Sequence, residues 1–354
     1  MNSRYSKHQL RPPLFPTRPS HAWSFLLILI FAATCYSQDA KKLISSVADE
    51  VEKQLSAMKL SSDLTQQCTK EVADTRAYLK SDNFYLSLYT IRTCKLELDS
   101  LAYASSKAEV EKKGIEAFEQ EWSQLGSLLT DKEHKVDLTI AKRPAAVAIA
   151  LAQVSQVQTR PYYQSGRLFA LNSSLSEGLY YLGRAPANLD FAIFLRGLNF
   201  PQNKTPLTFR SPESELTKLE TAILKTYKSA DVSTQQANFN RLNSNLKVAG
   251  ELNRAKMFEG ALLKYLETRL FFGLLITTAE NEDVAHLRER SAETGRQLKA
   301  DKKDQSIAAL FWEMAETSLN PTSKTEPTAA QIKRAAVILN IVLPSYSDYL
   351  KETK

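Results

Sequence analysis

Glycine is scarce in this 354-residue chain, with 10 in all, and there are only 13 prolines. No Asn-Gly, Asp-Gly or Gly-Gly pair occurs anywhere. Tight two-residue β-hairpin turns need residues that accept positive φ, so their absence argues against a hairpin-built β architecture. Phosphate-cradling loops are missing too: there is no GxGxxG and no GxxxxGK[ST], nor is there a Gly-x-Ser-x-Gly elbow or an HExxH. Only four histidines occur, and of these His134 and His286 alone lie beyond the first 37 residues, each among charged neighbours without a ligand-spaced partner. No metal site and no cofactor are expected from such a pattern.

What is abundant is Ala, Leu, Lys, Glu, Gln and Ser, residues that fill helices. The expectation is an all-α protein of antiparallel helical hairpins, arranged as an irregular α-solenoid or a helical bundle. The net charge is +7, but Arg4, Lys7, Arg11 and Arg18 account for four of those charges within the first 37 residues, which hold no acid. Acids and bases alternate through the rest, with no Lys/Arg stripe to track a nucleic-acid backbone, so no nucleic-acid partner is expected.

The N-terminus reads "MNSRYSKHQLRPPLFPTRPSHAWSFLLILIFAATCYSQDAKK": a basic, Pro-rich lead, the apolar run Phe25 to Ala33, then small and polar residues. That is the three-part layout of a secretory signal, with small residues Cys35 and Ser37 placed for cleavage after Ser37. The expected location is secreted or periplasmic. Two alternatives would tie the chain to a membrane. One is lipidation of Cys35, for which "AATC" has Ala32 and Thr34 at the recognition positions. The other is an uncleaved anchor, but Trp23 to Tyr36 offers 14 residues, where a spanning helix takes roughly 20.

In an exported chain, Cys68 and Cys94 acquire a disulfide expectation. Each lies 13 residues from Ser81 in the polar triplet "SDN", and each falls on an apolar helical stripe: Leu60, Leu64, Cys68, Val72 and Leu79 before it, Phe84, Leu88, Ile91, Cys94 and Leu98 after it. Folded as a hairpin about Ser81, the two sit at the same depth, about 20 Å along each arm at 1.5 Å per residue. Two free core cysteines are the alternative.

Helical periodicity places helices near 39–57, 60–80, 83–103 and 106–130, with the charged stretch "TDKEHKVD" as a break. Pro144, Pro161 and Pro186 are each expected to open a new helix. The segment 201–213 carries no period and holds three prolines, Pro201, Pro206 and Pro212, which makes it a linker or surface loop between an N-terminal helical region, 38–200, and a C-terminal one, 214–354. Beyond it, helices are expected near 212–229, 232–254, 257–279, 282–299 and 303–319, with a last one in "AAQIKRAAVILNIVL".

Two stretches align: "RAYLKSDNFYLSLYTIRTC" and "ELNRAKMFEGALLKYLETR". In each, an aromatic (Phe84, Phe258) is followed by a small residue (Ser87, Ala261) and then a large one (Ile91, Tyr265). This spacing resembles the second helix of a tetratricopeptide unit, where the small residue admits the paired helix. The first-helix positions depart from that pattern, holding Asp74-Thr75 and Val248-Ala249 instead of Leu-Gly. The resemblance implies an array of α-hairpins, either a short irregular solenoid or a compact bundle.

The binding candidates are aromatic and basic. "TRPYYQSGR" and "GLYYLGR" carry Tyr162, Tyr163, Tyr180 and Tyr181 beside Arg160, Arg167 and Arg184, a composition favoured at protein interfaces. Carboxylates such as Glu116, Glu119 and Glu121 recur at helical spacing among lysines, the pattern of a solvated face. No catalytic residue is singled out. The functional expectation is a non-catalytic scaffold or assembly factor for another envelope or secreted protein. The alternative is an exported hydrolase or small-ligand binder with its site between helices near the tyrosine pairs.

Overall fold

A computed structural model describes residues 40–352 apart from 59, 202, 229–231, 278–282 and 322–324. The signal-like segment and Cys35 lie outside the described residues. Among those that are described, every named element is helical: α1 Ala40–Ala57, α2 Ser62–Lys80, α3 Phe84–Ser106, α4 Ala108–Lys113, α5 Ile115–Leu138, α6 Ala146–Asn172 and α7 Leu175–Gly197. After the irregular stretch come α8 Glu213–Lys228, α9 Val232–Arg254, α10 Phe258–Ile276, α11 Val284–Ala300 and α12 Ser306–Leu319. The chain ends on α13 Ala329–Val337, a π turn Ile338–Val342 and α14 Leu343–Lys351. The one β-type pairing among the described residues is an isolated bridge between Thr205 and Lys303. The all-α expectation is met, and no helix of the described residues is long and apolar enough to cross a membrane.

Three helix boundaries differ from those expected. Pro161 and Pro186 open nothing: both lie inside long helices, α6 and α7. A proline there removes the N–H that would serve the carbonyl four residues back. The loss is outweighed by packing, since α6 against α7 is the most extensive helix pair in the fold. The actual boundary is at Ser173 and Ser174, where the Ser174 hydroxyl accepts the Glu177 N–H at 3.2 Å, an N-cap in a Ser-x-x-Glu setting. The stretch "TDKEHKVD" is likewise no break. Leu125, Leu129 and Val136 continue one buried stripe along α5, and the charges fill its outer face. The interruption falls earlier, at Gly114, whose φ of 89° separates α4 from α5.

Cys68 and Cys94 form the disulfide that their spacing suggests, with Cα atoms 5.5 Å apart. It sits in a small apolar cluster with Val47, Val51, Val72, Ile91 and Leu98, which seats α1 on the α2–α3 hairpin. The two aligned stretches share a turn. Asp82 and Lys256 both take left-handed backbone, at φ 56° and 58°. Asn83 and Met257 follow at nearly equal angles, −84°, 68° and −91°, 69°. Each of these donates its N–H back across the turn at 2.9 Å, to the carbonyls of Tyr78 and Leu252.

A single buried apolar cluster takes in Leu151 and Leu189 before segment 201–213 and Leu266, Phe311 and Ile338 after it. Polar stitches run the same way. Tyr349 on α14 both accepts the Arg210 N–H at 2.8 Å and donates to the Arg210 carbonyl at 2.6 Å. Near the C-terminus the π turn has a local cause. Leu343 N–H serves Ile338, and Pro344 has no N–H to offer, so the Leu339 carbonyl lacks a helical donor. Arg290 on α11 supplies one at 3.2 Å.

Candidate functional site

The small residues of α6 and α7 bring these helices close. A Cβ at Gly178 would lie 2.6 Å from Ala170 Cβ and 2.9 Å from the Gly166 carbonyl, so backbone meets backbone here. Larger side chains are thereby directed to the flanks, and the seven aromatic and basic residues singled out from the sequence fall into two groups on different sides of α6.

Tyr163, Arg160 and Arg167 face α5. Tyr163 is buried and stacks on Trp122 with ring centroids 4.8 Å apart. Its hydroxyl donates to the Trp122 carbonyl at 2.8 Å, and the Trp122 indole N–H donates to the Tyr163 carbonyl at 3.3 Å. Burial pushes the phenol pKa up, with Arg160 and Arg167 acting against it. Arg160 pairs with Glu133 at 2.5 Å, and that hydrogen-bonded carboxylate holds its pKa above the usual range. Arg167 pairs with Glu119 at 2.9 Å and lies over the Trp122 ring at 4.7 Å.

Tyr162, Tyr180, Tyr181 and Arg184 occupy the other side. Tyr181 stacks on Phe169 at 4.3 Å, meets Tyr180 edge-on at 5.3 Å, and lies 6.4 Å from Tyr162. The Arg184 guanidinium sits 5.4 Å from both the Tyr162 and Tyr180 rings and forms a salt bridge with Glu97 on α3. Tyr180 donates to the same carboxylate at 2.7 Å. Burial raises the Tyr180 pKa, and the Glu97 hydrogen bond adds to it. Burial acts against the Arg184 charge, but Tyr180, Tyr162 and Glu97 outweigh it and hold that guanidinium above its ordinary pKa.

Beyond Glu97 lie residues that the sequence reading passed over. Arg92 on α3 donates to Gln158 at 3.2 Å. Lys264 and Glu267, an i,i+3 pair on α10, are both buried and joined at 2.5 Å. The signal for them was present: a lysine and a glutamate stand in the otherwise apolar run "ALLKYLETRLFF", where charges are rarely buried unpaired.

Outward, α6 turns Arg160, Gln164, Arg167, Leu168 and Leu171 to solvent. Leu168 is 60% and Leu171 54% exposed, one turn apart. Two grooves open elsewhere. One of about 480 Å³ lies at the start of α3, with Phe84, Tyr85, Lys299, Trp312 and Glu313 on its walls. Another of about 660 Å³ lies against α14, beside Leu207, Gln297 and Tyr346. Neither includes the tyrosine pairs. Among the described residues, no group of three or more His, Cys, Asp or Glu side chains stands close enough to hold a metal ion. No protein family, no curated protein and no solved structure matches this chain.

Proposed function

We propose that this chain is an exported, non-catalytic helical protein that holds another envelope or secreted protein, as a scaffold or assembly factor. The observation that carries this reading is the outer face of α6. There two leucines, more than half exposed, follow directly on Arg160 and Arg167, which are fixed in place by Glu133 and Glu119. Exposed apolar side chains beside pre-positioned arginines are the residue types that anchor protein interfaces. The α5–α6–α7 packing makes this face rigid, which lowers the ordering cost of binding. Export is supported by the layout of the first 37 residues and agrees with a disulfide between Cys68 and Cys94.

The test is mild cross-linking and capture of a C-terminally tagged copy from its own host, run beside a Leu168→Glu, Leu171→Glu variant. One exported protein in stoichiometric amount is expected with the wild type and not with the variant, at equal melting temperature. Recovery of the same protein with both, or of the tagged chain alone, would overturn the reading.

A further inference from the structure

Several connecting segments meet at the end of the fold where α6 begins. The Ala40 N–H at the start of α1 donates to the Asn199 carbonyl just past α7, at 3.0 Å. The Phe200 N–H donates to the Arg143 carbonyl at 3.1 Å, and the Arg143 N–H to the Asn199 side chain at 3.0 Å, which ties in the α5–α6 link. Asp304 in the α11–α12 link accepts the Ala146 N–H at 2.6 Å. The entry to α1, the exit from α7 and these two links therefore share one surface.

That surface carries apolar and basic side chains together. Leu138 is 68% and Ile140 74% exposed, the two most exposed large apolar side chains among the described residues. Apolar residues exposed singly are ordinary, but these two stand on one short link whose backbone is pinned. The Ala141 N–H donates to the Arg196 carbonyl at 3.0 Å, and Arg196 Nε to the Thr139 carbonyl at 3.1 Å. In the same segments Lys42, Lys142, Arg143, Lys302 and Lys303 are exposed. The acids of the α11–α12 link are turned to the backbone: Asp301 accepts the Lys303 N–H at 2.8 Å, and Asp304 also accepts that of Ser306 at 2.9 Å. Asp137, at the end of α5, remains as an exposed acid.

We propose that this end of the molecule docks on a membrane surface rich in anionic lipid, with Leu138 and Ile140 entering the interface and the five cations meeting headgroup phosphates. Shallow apolar insertion and basic attraction are each weak alone and combine at one surface. The apolar run Phe25 to Ala33 stands a few residues before Ala40 in sequence, so a chain exported on that run leaves the bilayer at this end. Charge argues against other occupants. A second copy would set these cations against their own kind, and the first 37 residues hold Arg4, Lys7, Arg11 and Arg18 and no acid. Leu168 and Leu171 lie roughly 30 Å further along α6, which leaves that outer face open to a protein partner. The inference rests on the export reading and not on the outer face of α6.

The test sediments the chain, purified from its own host, with vesicles of phosphatidylcholine and phosphatidylglycerol in equal parts, and with vesicles of phosphatidylcholine alone. Binding to the mixed vesicles is expected, roughly tenfold weaker or more on phosphatidylcholine. The Leu138→Glu, Ile140→Glu variant is expected to bind the mixed vesicles roughly tenfold more weakly or worse, at an unchanged melting temperature. Should that variant fail to fold, Ile140→Trp reads the same contact, as a blue shift of fluorescence on the mixed vesicles beyond that of the wild type. No binding, equal affinity for both vesicle types, equal affinity of the wild type and the double variant, or a wild-type dimer that the double variant splits would overturn the proposal. Fractionation of the host reads export separately.

Discussion

The carboxylate of Glu313 accepts the backbone N–H of Leu86 at 2.6 Å, joining residues 227 apart in sequence. Leu86 is the third residue of α3, and the residue before that helix, Asn83, gives it no side-chain cap. The open N–H groups of the first turn are instead met from α12, with the Tyr85 N–H also donating to Glu313. The start of α6 is served in the same way. Asp304 accepts the Ala146 N–H at 2.6 Å and Ser306 accepts that of Val147 at 3.0 Å. One C-terminal helix and its lead-in thus cap two N-terminal helices.

Glu313 makes stability depend on pH in a signed way. Burial pushes its carboxyl well above the carboxylate range, against the two backbone hydrogen bonds and Lys299, which pull it down. The folded state therefore binds this proton more tightly than the unfolded chain does. Its contribution is present at pH below the ordinary carboxylate range and is lost as pH rises through the raised folded value. Glu313→Gln keeps an acceptor oxygen and carries no charge. The melting temperature of this variant, taken relative to wild type, is expected to climb as pH rises; two melting curves that stay parallel across pH would refute it.

Removing the disulfide should loosen a corner before the whole. The bridge closes a 26-residue separation, worth about 3 to 4 kcal/mol by loop closure. Its neighbours Val47 and Val51 come from α1. The Cys68→Ala, Cys94→Ala variant is expected to lose roughly that stability and to show faster amide exchange in α1 than in α6 or α7. Equal acceleration throughout would count against a local role.

Much of this was legible in the sequence where one physical signal acted alone. The cysteines lie equidistant from Ser81, on apolar stripes, and the hairpin turn does fall there, with Ser81 closing α2. Signals that competed were misread. Pro161 and Pro186 argue for breaks, but the alanines and glycines around them permit a helix contact close enough to override the lost hydrogen bonds. In "TDKEHKVD" the charges conceal a single apolar residue, Val136, that keeps the stripe going. The tyrosine pairs were found by composition, whereas their division between two sides of α6 is set by α3 and α5, which sequence spacing does not place. Glu313 and Arg92 matter through partners 227 and 66 residues away, separations at which local patterning says nothing.

The α6–α7 approach predicts opposite outcomes for one substitution at two sites. Alanine at Gly178 would put its Cβ against backbone and a Cβ that cannot retreat; Gly178→Ala is expected to cost about 1 to 3 kcal/mol, as overpacking does. At Gly250 in α9, nothing lies within 4 Å of an added Cβ. Gly250→Ala is expected to gain about 0.5 to 1 kcal/mol, from helix propensity alone. Denaturant midpoints read both. A gain at Gly178 would mean that the two helices can part without penalty, contrary to the packing described.

The shared hairpin turn offers the last prediction. Lys256 holds φ at 58°, a left-handed conformation that crowds a Cβ against the following carbonyl, at about 1 to 2 kcal/mol for an L-residue. Glycine escapes that cost but loses more backbone freedom on folding. Lys256→Gly is therefore expected to stabilise by about 1 kcal/mol or less, the steric gain less the entropic loss. The neighbouring Ala255 is not among the positive-φ residues, so Ala255→Gly incurs the entropic loss without the steric gain and should destabilise. Asp82 is the poorer test site, because it also pairs with Lys41 at 2.9 Å. A lower denaturation midpoint for Lys256→Gly than for wild type would show that its side chain contributes more to the turn than its backbone costs.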